Sequence, residues 1–197
     1  MRNTNRTAWQ RREESGEIVR PDTLVIAAGK YGSCNQYTRW LIDRLGADGM
    51  AYDKRQLGYA SRYKNIIWVG AIKDGTIKGT NIFWQNYRNF GLEGKTIVMC
   101  GVGLGDPENK DYFDKVMRRS GSDQGYCTCF ILPGRIDQSS LNMLDKPQFE
   151  KFLVDAKRIY GEETAELINE RAASNYNGVD AMALEPVVQT ILATRNK

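Results

Sequence analysis

Four short runs of β-branched and apolar residues punctuate the chain: "TLVIAAG" at 23–29, "NIIWVGA" at 65–71, "KTIVMCGVG" at 95–103 and "YCTCFILPG" at 126–134. Each is apolar at nearly every position rather than at alternate ones, the pattern of a strand buried on both faces. Each ends in a glycine-rich turn and leads into a stretch of helical period. A weaker run, "DGMAYDK" at 48–54, falls between the first and second. Helices are predicted over Ser33–Leu45, Lys78–Phe90, Glu108–Arg119, Ser139 to about Tyr160, Thr164–Ala173 and Ala183–Thr194. Strand and helix therefore alternate, which predicts an α/β fold: a five-stranded, parallel, doubly wound sheet with helices on both faces, since right-handed crossovers send alternate helices to opposite sides.

Residues 1–22 are polar, lack a period and end near Pro21, so they are expected to form a disordered or loosely docked extension ahead of one domain over 23–194. The stretch from Asn142 to Asn177 is long for a single crossover. It predicts elaborated C-terminal helices that cover a sheet edge or meet a partner, a second copy in a homodimer included.

Composition narrows the chemistry. The chain has 197 residues, 28 of them basic and 24 acidic, and the resulting +4 is scattered rather than gathered into the basic stripe that nucleic acid requires. The longest apolar run, around Ile66 to Ile72, is far short of the roughly 20 residues of a membrane span. The N-terminal segment shows no apolar leader core, which makes the cytoplasm the expected compartment. No histidine occurs anywhere. That removes the usual general base near neutral pH, the Ser-His and Cys-His nucleophile pairs, and most zinc sites. Cys127 and Cys129 are two apart in a strand-like run and so share one face; they are expected to be buried, reduced thiols, because a redox or metal motif favours two intervening residues.

The first strand ends in "GKYGSC", and in an open parallel sheet ligands bind beyond the carboxyl ends of the strands. A helix starting near Ser33 would aim its unpaired first N–H groups into that crevice, and Gly29 and Gly32 would let the backbone approach closely. A phosphate is the natural guest. Residue type excludes three classes. A P-loop needs Gly-Lys-Ser/Thr where Gly32 is followed by Ser33 and Cys34, and no G-x-G-x-x-G follows the first strand. A phospho-accepting domain would want a carboxylate where the third strand ends in Gly70 and Ala71. A flavin mononucleotide site remains, beside the plain structural reading of a tight strand-to-helix connection. Trp68 and Trp84 read as core residues rather than flavin partners.

In chain order, "GKYGSCNQYTRWLIDRLGA", "VGAIKDGTIKG", "VGLGDPEN", "GRIDQSSL" and "VDAMALEPVV" resemble the flavodoxin-like FMN domains of a clostridial type, a group similar also to menaquinone-dependent protoporphyrinogen oxidases. The resemblance covers about residues 23–192 and implies the flavodoxin strand order 2-1-3-4-5. It implies that Lys30, Tyr31, Gly32, Ser33, Cys34 and Asn35 wrap the FMN phosphate. Ala71, Ile72, Lys73, Asp74 and Gly75 would border one side of the isoalloxazine, and Gly101, Val102, Gly103 and Leu104 the other. Gly134 to Leu141 would stand at the rim. Two positions depart from the family pattern: Cys34 replaces a threonine, and Lys73 replaces a tyrosine. No metal is implied. The resemblance implies an FMN-binding electron-transfer protein that works with a redox partner protein or a quinone-like acceptor. The alternatives are an FMN-dependent oxidoreductase acting on a quinone or porphyrinogen-like substrate, and a flavodoxin-shaped interaction module without a cofactor.

Overall fold

The structure, a computed structural model, describes residues 21–30 and 32–195. Of the 1–22 extension only Pro21 and Asp22 fall among them, so its expected disorder lies outside the described residues. Among the described residues six strands form the sheet: β1 Thr23–Ala28, β2 Asp48–Ala51, β3 Asn65–Lys73, β4 Thr76–Ile77, β5 Thr96–Gly103 and β6 Thr128–Pro133. Five are parallel in the order β2-β1-β3-β5-β6, and β4 pairs antiparallel with β3. Counting the parallel strands alone, this is the expected 2-1-3-4-5.

The continuous apolar runs are explained by burial on both faces. On one face Leu24, Ile26, Ile66, Trp68, Ile97 and Met99 form a core, and on the other Val25, Ile67, Val69, Val98, Cys100 and Leu132 form a second. The helices that cover them are α1 Ser33–Leu45, α2 Thr80–Gln85, α3 Lys110–Arg119, α4 Asp145–Tyr160, α5 Glu162–Ala173 and α6 Glu185–Arg195. The second core is closed by α1, through Tyr37, Leu41 and Leu45, and by α6, through Val187, Val188 and Ile191. The other face takes α3, α4 and α5, with Phe83 of α2.

Two helices differ from expectation, each for a local reason. The Lys78–Phe90 prediction is regular only over α2, because the Asn86 side chain donates to the Ile82 carbonyl at 2.9 Å and competes for the helix ladder. The helix expected from Ser139 begins at Asp145 instead. Asn142 Oδ1 accepts from the backbone N–H groups of Leu144 and Asp145 at 3.0 and 2.8 Å, which starts the helix there.

The strand β4 belongs to a hairpin that the sequence reading took as ligand loop. Asp74 and Gly75, with φ of 51° and 80°, form a two-residue turn in which both central residues have positive φ, the geometry that suits Asp-Gly. The hairpin folds back over the carboxyl ends of the strands, and glycines make room for it. A Cβ on Gly70 would stand 2.5 Å from Ile77, and one on Gly103 would stand 2.9 Å from Ile72.

Candidate functional site

Beyond the carboxyl ends of β1, β3 and β5 lies a cavity of about 370 Å³. Its lining includes Lys30, Ser33 and Cys34 from the first turn, Ala71, Ile72 and Lys73 from the end of β3, and Val102, Gly103 and Leu104 from the end of β5. Strands adjacent in the order bring these three segments together, although they are some 40 and 30 residues apart in the chain.

The first turn is held from inside. Cys34 is 3 % exposed, and any side chain at Gly29 would meet its Sγ at 2.6 Å, so the thiol packs beneath the loop. Burial raises its pKa to about 12, against an opposing pull from Lys78, and the group stays a neutral thiol. Among the described residues no side chain caps α1, and its first turn carries no carboxylate. Its first N–H groups therefore have no acidic side chain competing for them. Lys30 reaches across to Asp145 at the start of α4, with Nζ 2.5 Å from the carboxylate. Gly32 and Asn35 face a shallower hollow on the far side of Arg135. Tyr31 lies outside the described residues.

On the opposite wall, Lys73 donates to Gln148 Oε1 at 2.6 Å. Asp74 and Gly75 do not line the cavity; their turn packs toward α3, where Arg119 donates to the Asp74 carbonyl at 3.1 Å. Gly101 also stands outside the lining, and its missing side chain accommodates Ile72 and Ile77 of the hairpin. The loop after β5 is pinned by Arg171 of α5, which donates to the carbonyls of Leu104 and Gly105 at 2.7 and 2.9 Å.

The segment 145–160 contributes more to the site than its sequence suggested. Asp145, Gln148, Phe149, Phe152 and Tyr160 of α4 all line the cavity, at the spacing of one helix face. With Tyr112 of α3 they make an aromatic wall: Tyr112 and Tyr160 stand edge-to-face at 5.1 Å, and Phe149 and Phe152 are 6.0 Å apart. Burial raises the pKa of both tyrosines, so their phenols stay neutral. Two cross-links, Lys30 to Asp145 and Lys73 to Gln148, tie this helix to the loops on either side. Trp68 and Trp84 are absent from the lining; Trp68 is fully buried and donates to the Lys78 carbonyl.

The cavity is electrostatically one-sided. Lys30, Lys73, Lys78 and Arg135 border it against one carboxylate, Asp145, among the described residues. Lys78 and Arg135 lie in segments that the sequence reading placed near the site without assigning them a role. The lysine is turned inward because the hairpin returns its backbone to β3, where its N–H donates to the Ala71 carbonyl at 2.9 Å.

Among solved structures, the Trp repressor binding protein from Bacillus subtilis is 12% identical, with 70% of this chain and 98% of that one covered at a TM-score of 0.39. A Fusobacterium nucleatum flavodoxin bound to flavin mononucleotide is 11% identical over 78% of this chain and 98% of its own, at 0.38. An FMN-dependent NADH-azoreductase from Bacillus anthracis, in complex with FMN, is 12% identical over 76% and 99%, at 0.36. No curated protein matches the sequence. A family model described as a flavodoxin domain matches residues 24–158, more than half of the chain and all three cavity-forming segments. The chain belongs to the flavodoxin domain family, whose cofactor is FMN.

Proposed function

We propose that the chain binds FMN in this cavity and carries electrons between a reduced donor and an acceptor, either a redox partner protein or a quinone-like molecule. One observation carries the reading: a single cavity joins an uncapped helix N-terminus flanked by cations to a wall of aromatic and aliphatic side chains. FMN has the matching division, an anionic phosphate at one end and a flat, largely apolar ring at the other. The volume also falls within the roughly 300–1,000 Å³ of small-molecule sites.

Lys30, Ser33 and Cys34 would hold the phosphate end, with Gly32 allowing close approach. Ala71, Ile72 and Lys73 would face the ring from one side and Val102, Gly103 and Leu104 from the other. Phe149 and Phe152 supply the aromatic surface that position 73 lacks. When bound, the flavin supplies the redox chemistry, and the protein supplies binding, orientation and charge. That division suits a chain with no histidine, since no general base is asked of it.

The visible absorption spectrum of the purified protein, with and without added FMN, tests the reading. A yellow protein that releases FMN on denaturation is expected. Release of FAD, or no flavin uptake at all, rejects it, and the latter leaves the interaction-module alternative. A second reading, an FMN-dependent oxidoreductase with an apolar acceptor, is favoured by Met143 and Leu144, which are 91% and 78% exposed beside Leu141 of the cavity lining. Turnover of a soluble quinone with no partner protein present distinguishes it from a carrier. No helix among the described residues is long and apolar enough to cross a membrane.

A further inference from the structure

The loop after β6 places an arginine where the first turn needs a charge. Its backbone is held on both sides: Gly134 N–H donates to the Gly103 carbonyl at 2.7 Å, Ile136 N–H to Tyr176 at 2.9 Å, and Gly178 N–H to Gly134 at 3.0 Å. From this fixed base the Arg135 guanidinium extends toward the N-terminus of α1. Its Nη2 stands 2.6 Å from where a Cβ on Gly32 would be, so Gly32, at φ 92°, is the residue that lets the head group come in. Among the described residues that head group makes no ion pair and no hydrogen bond. The nearest carboxylate along the chain, Asp137, feels the guanidinium's charge without bonding it, and accepts hydrogen bonds from the N–H and hydroxyl of Ser139 at 2.9 and 2.6 Å.

The turn itself is short of anion-binding groups. Cys34 offers only a buried thiol, a weak donor. Lys30, the turn's own cation, has Asp145 against its ammonium group. Ser33 remains as an aliphatic hydroxyl, with the open N–H groups of α1. The opposite charge that a phosphate dianion needs there must then come from elsewhere in the fold, from Lys78, whose charge reaches Cys34, and from Arg135. Arg135 comes from the far side of the sheet to the same helix end, and a guanidinium presents the forked donors that match phosphate oxygens.

We propose that Arg135 is the phosphate clamp of this site, closing on the 5′-phosphate of FMN and making the chain select FMN over riboflavin. The proposal rests on the FMN reading above and adds the residue that sets its specificity. Since riboflavin has the same ring and ribityl chain without the phosphate, the two ligands separate a clamp from a general effect on the cavity.

The test is titration of the wild-type chain, Arg135→Gln and Arg135→Lys with FMN and with riboflavin, followed by quenching of flavin fluorescence. Wild type should prefer FMN. Arg135→Gln should weaken FMN roughly ten- to a hundredfold, the loss of a charge-assisted hydrogen bond, and leave riboflavin within about twofold. Arg135→Lys should recover part of the FMN affinity, as a point charge without the fork. Unchanged FMN affinity in Arg135→Gln, or equal weakening of both flavins, overturns the clamp while FMN binding by the wild type stands. Uptake of neither flavin by the wild type rejects the FMN reading itself. Because the Arg135 side chain is exposed, the variants are expected to fold, and far-ultraviolet circular dichroism checks this before titration.

Discussion

At the scale of single residues, Cys34 is the position where chemistry and packing conflict. It lies on the cavity side of the first turn, yet its sulfur fills the space above Gly29. Threonine would add a methyl group there, whereas serine puts a hydroxyl into the volume the sulfur already occupies. Cys34→Ser should tighten FMN roughly tenfold or more and leave riboflavin unchanged, since a hydrogen bond to a charged acceptor contributes about 1.5–3 kcal/mol. Equal affinities in a fluorescence titration would mean that position 34 does not address the phosphate. The four cysteines also divide by burial. Cys34 and Cys100 are 3 % and 0 % exposed, while Cys127 and Cys129 are half-buried, with their sulfurs 3.5 Å apart and both donating to the Ser122 carbonyl. The expected burial of the latter pair is therefore only partial, because their strand lies at the edge of the sheet. In the native protein two thiols should react quickly with an aromatic disulfide reagent, and four after unfolding. Burial raises the Cys34 and Cys100 pKa values above those of the unfolded chain. Their contribution to stability is thus complete below the ordinary thiol pKa of about 8.5 and is lost as pH climbs toward the folded values. Urea midpoints measured at pH 8 and pH 10.5 should show the decline.

At the scale of elements, the β3–β4 hairpin supplies one wall of the cavity through Ile72, Lys73 and Lys78. Its turn places Gly75 at φ 80°, where a Cβ would stand 2.6 Å from the Nε of Arg119 and 2.8 Å from Ile159. Gly75→Ala should lower stability by about 1–2 kcal/mol from the left-handed backbone alone. The urea midpoint should fall accordingly, and an unchanged midpoint would show that the turn relaxes at no cost. The same substitution should weaken FMN, because Lys73 and Ile72 begin the turn. "IKDGTI" carries the Asp-Gly hairpin signal on its face. Of the expected ligand loop, the strand end at Ile72 and Lys73 lines the cavity, while the turn at Asp74 and Gly75 packs toward α3.

For the whole molecule, the C-terminal segment completes the core that the family match at 24–158 does not reach. Leu184, Val187, Val188 and Ile191 are all buried against the α1 face of the sheet. At about 1.5–3 kcal/mol for each buried side chain, they contribute roughly as much as the net stability of a domain. A chain ending at residue 178 should therefore be insoluble or unfolded, whereas recovery of a monodisperse, cooperatively unfolding product would refute this account. The last turn of α6 is joined to the start of β1: Arg195 donates to Asp22 at 2.7 Å through Nη2 and to the Leu45 carbonyl at 3.0 Å. Partial burial opposes ionisation of Asp22, but the hydrogen bonds from Arg195 and Thr23 outweigh it and hold its carboxyl below the usual range. This contribution is present above the ordinary aspartate pKa and is lost as pH falls through the lower folded value. Arg195→Gln should cost about 1–2 kcal/mol near pH 7 and less in acid, read as a gap between urea midpoints that narrows with falling pH.

Local pattern was enough to place the parallel strands, the bounds of α1 at Ser33 and Leu45, and the position of the cavity at the strand ends, because two-sided burial writes itself into continuous apolar runs and a helix into its period between bounding glycines, here Gly32 and Gly46. The contributions of separate segments to one site were not written there. Nothing local in "IKG" or "PGRID" says that Lys78 and Arg135 turn toward the same cavity, and nothing in the spacing of Asp145, Gln148, Phe149 and Phe152 says that this face of α4 covers it rather than solvent. Those placements depend on how a hairpin folds back over glycines and on which sheet face a long crossover packs against. They are set by the mutual exclusion of side chains in a closed core, a property of the assembled fold rather than of any stretch of sequence.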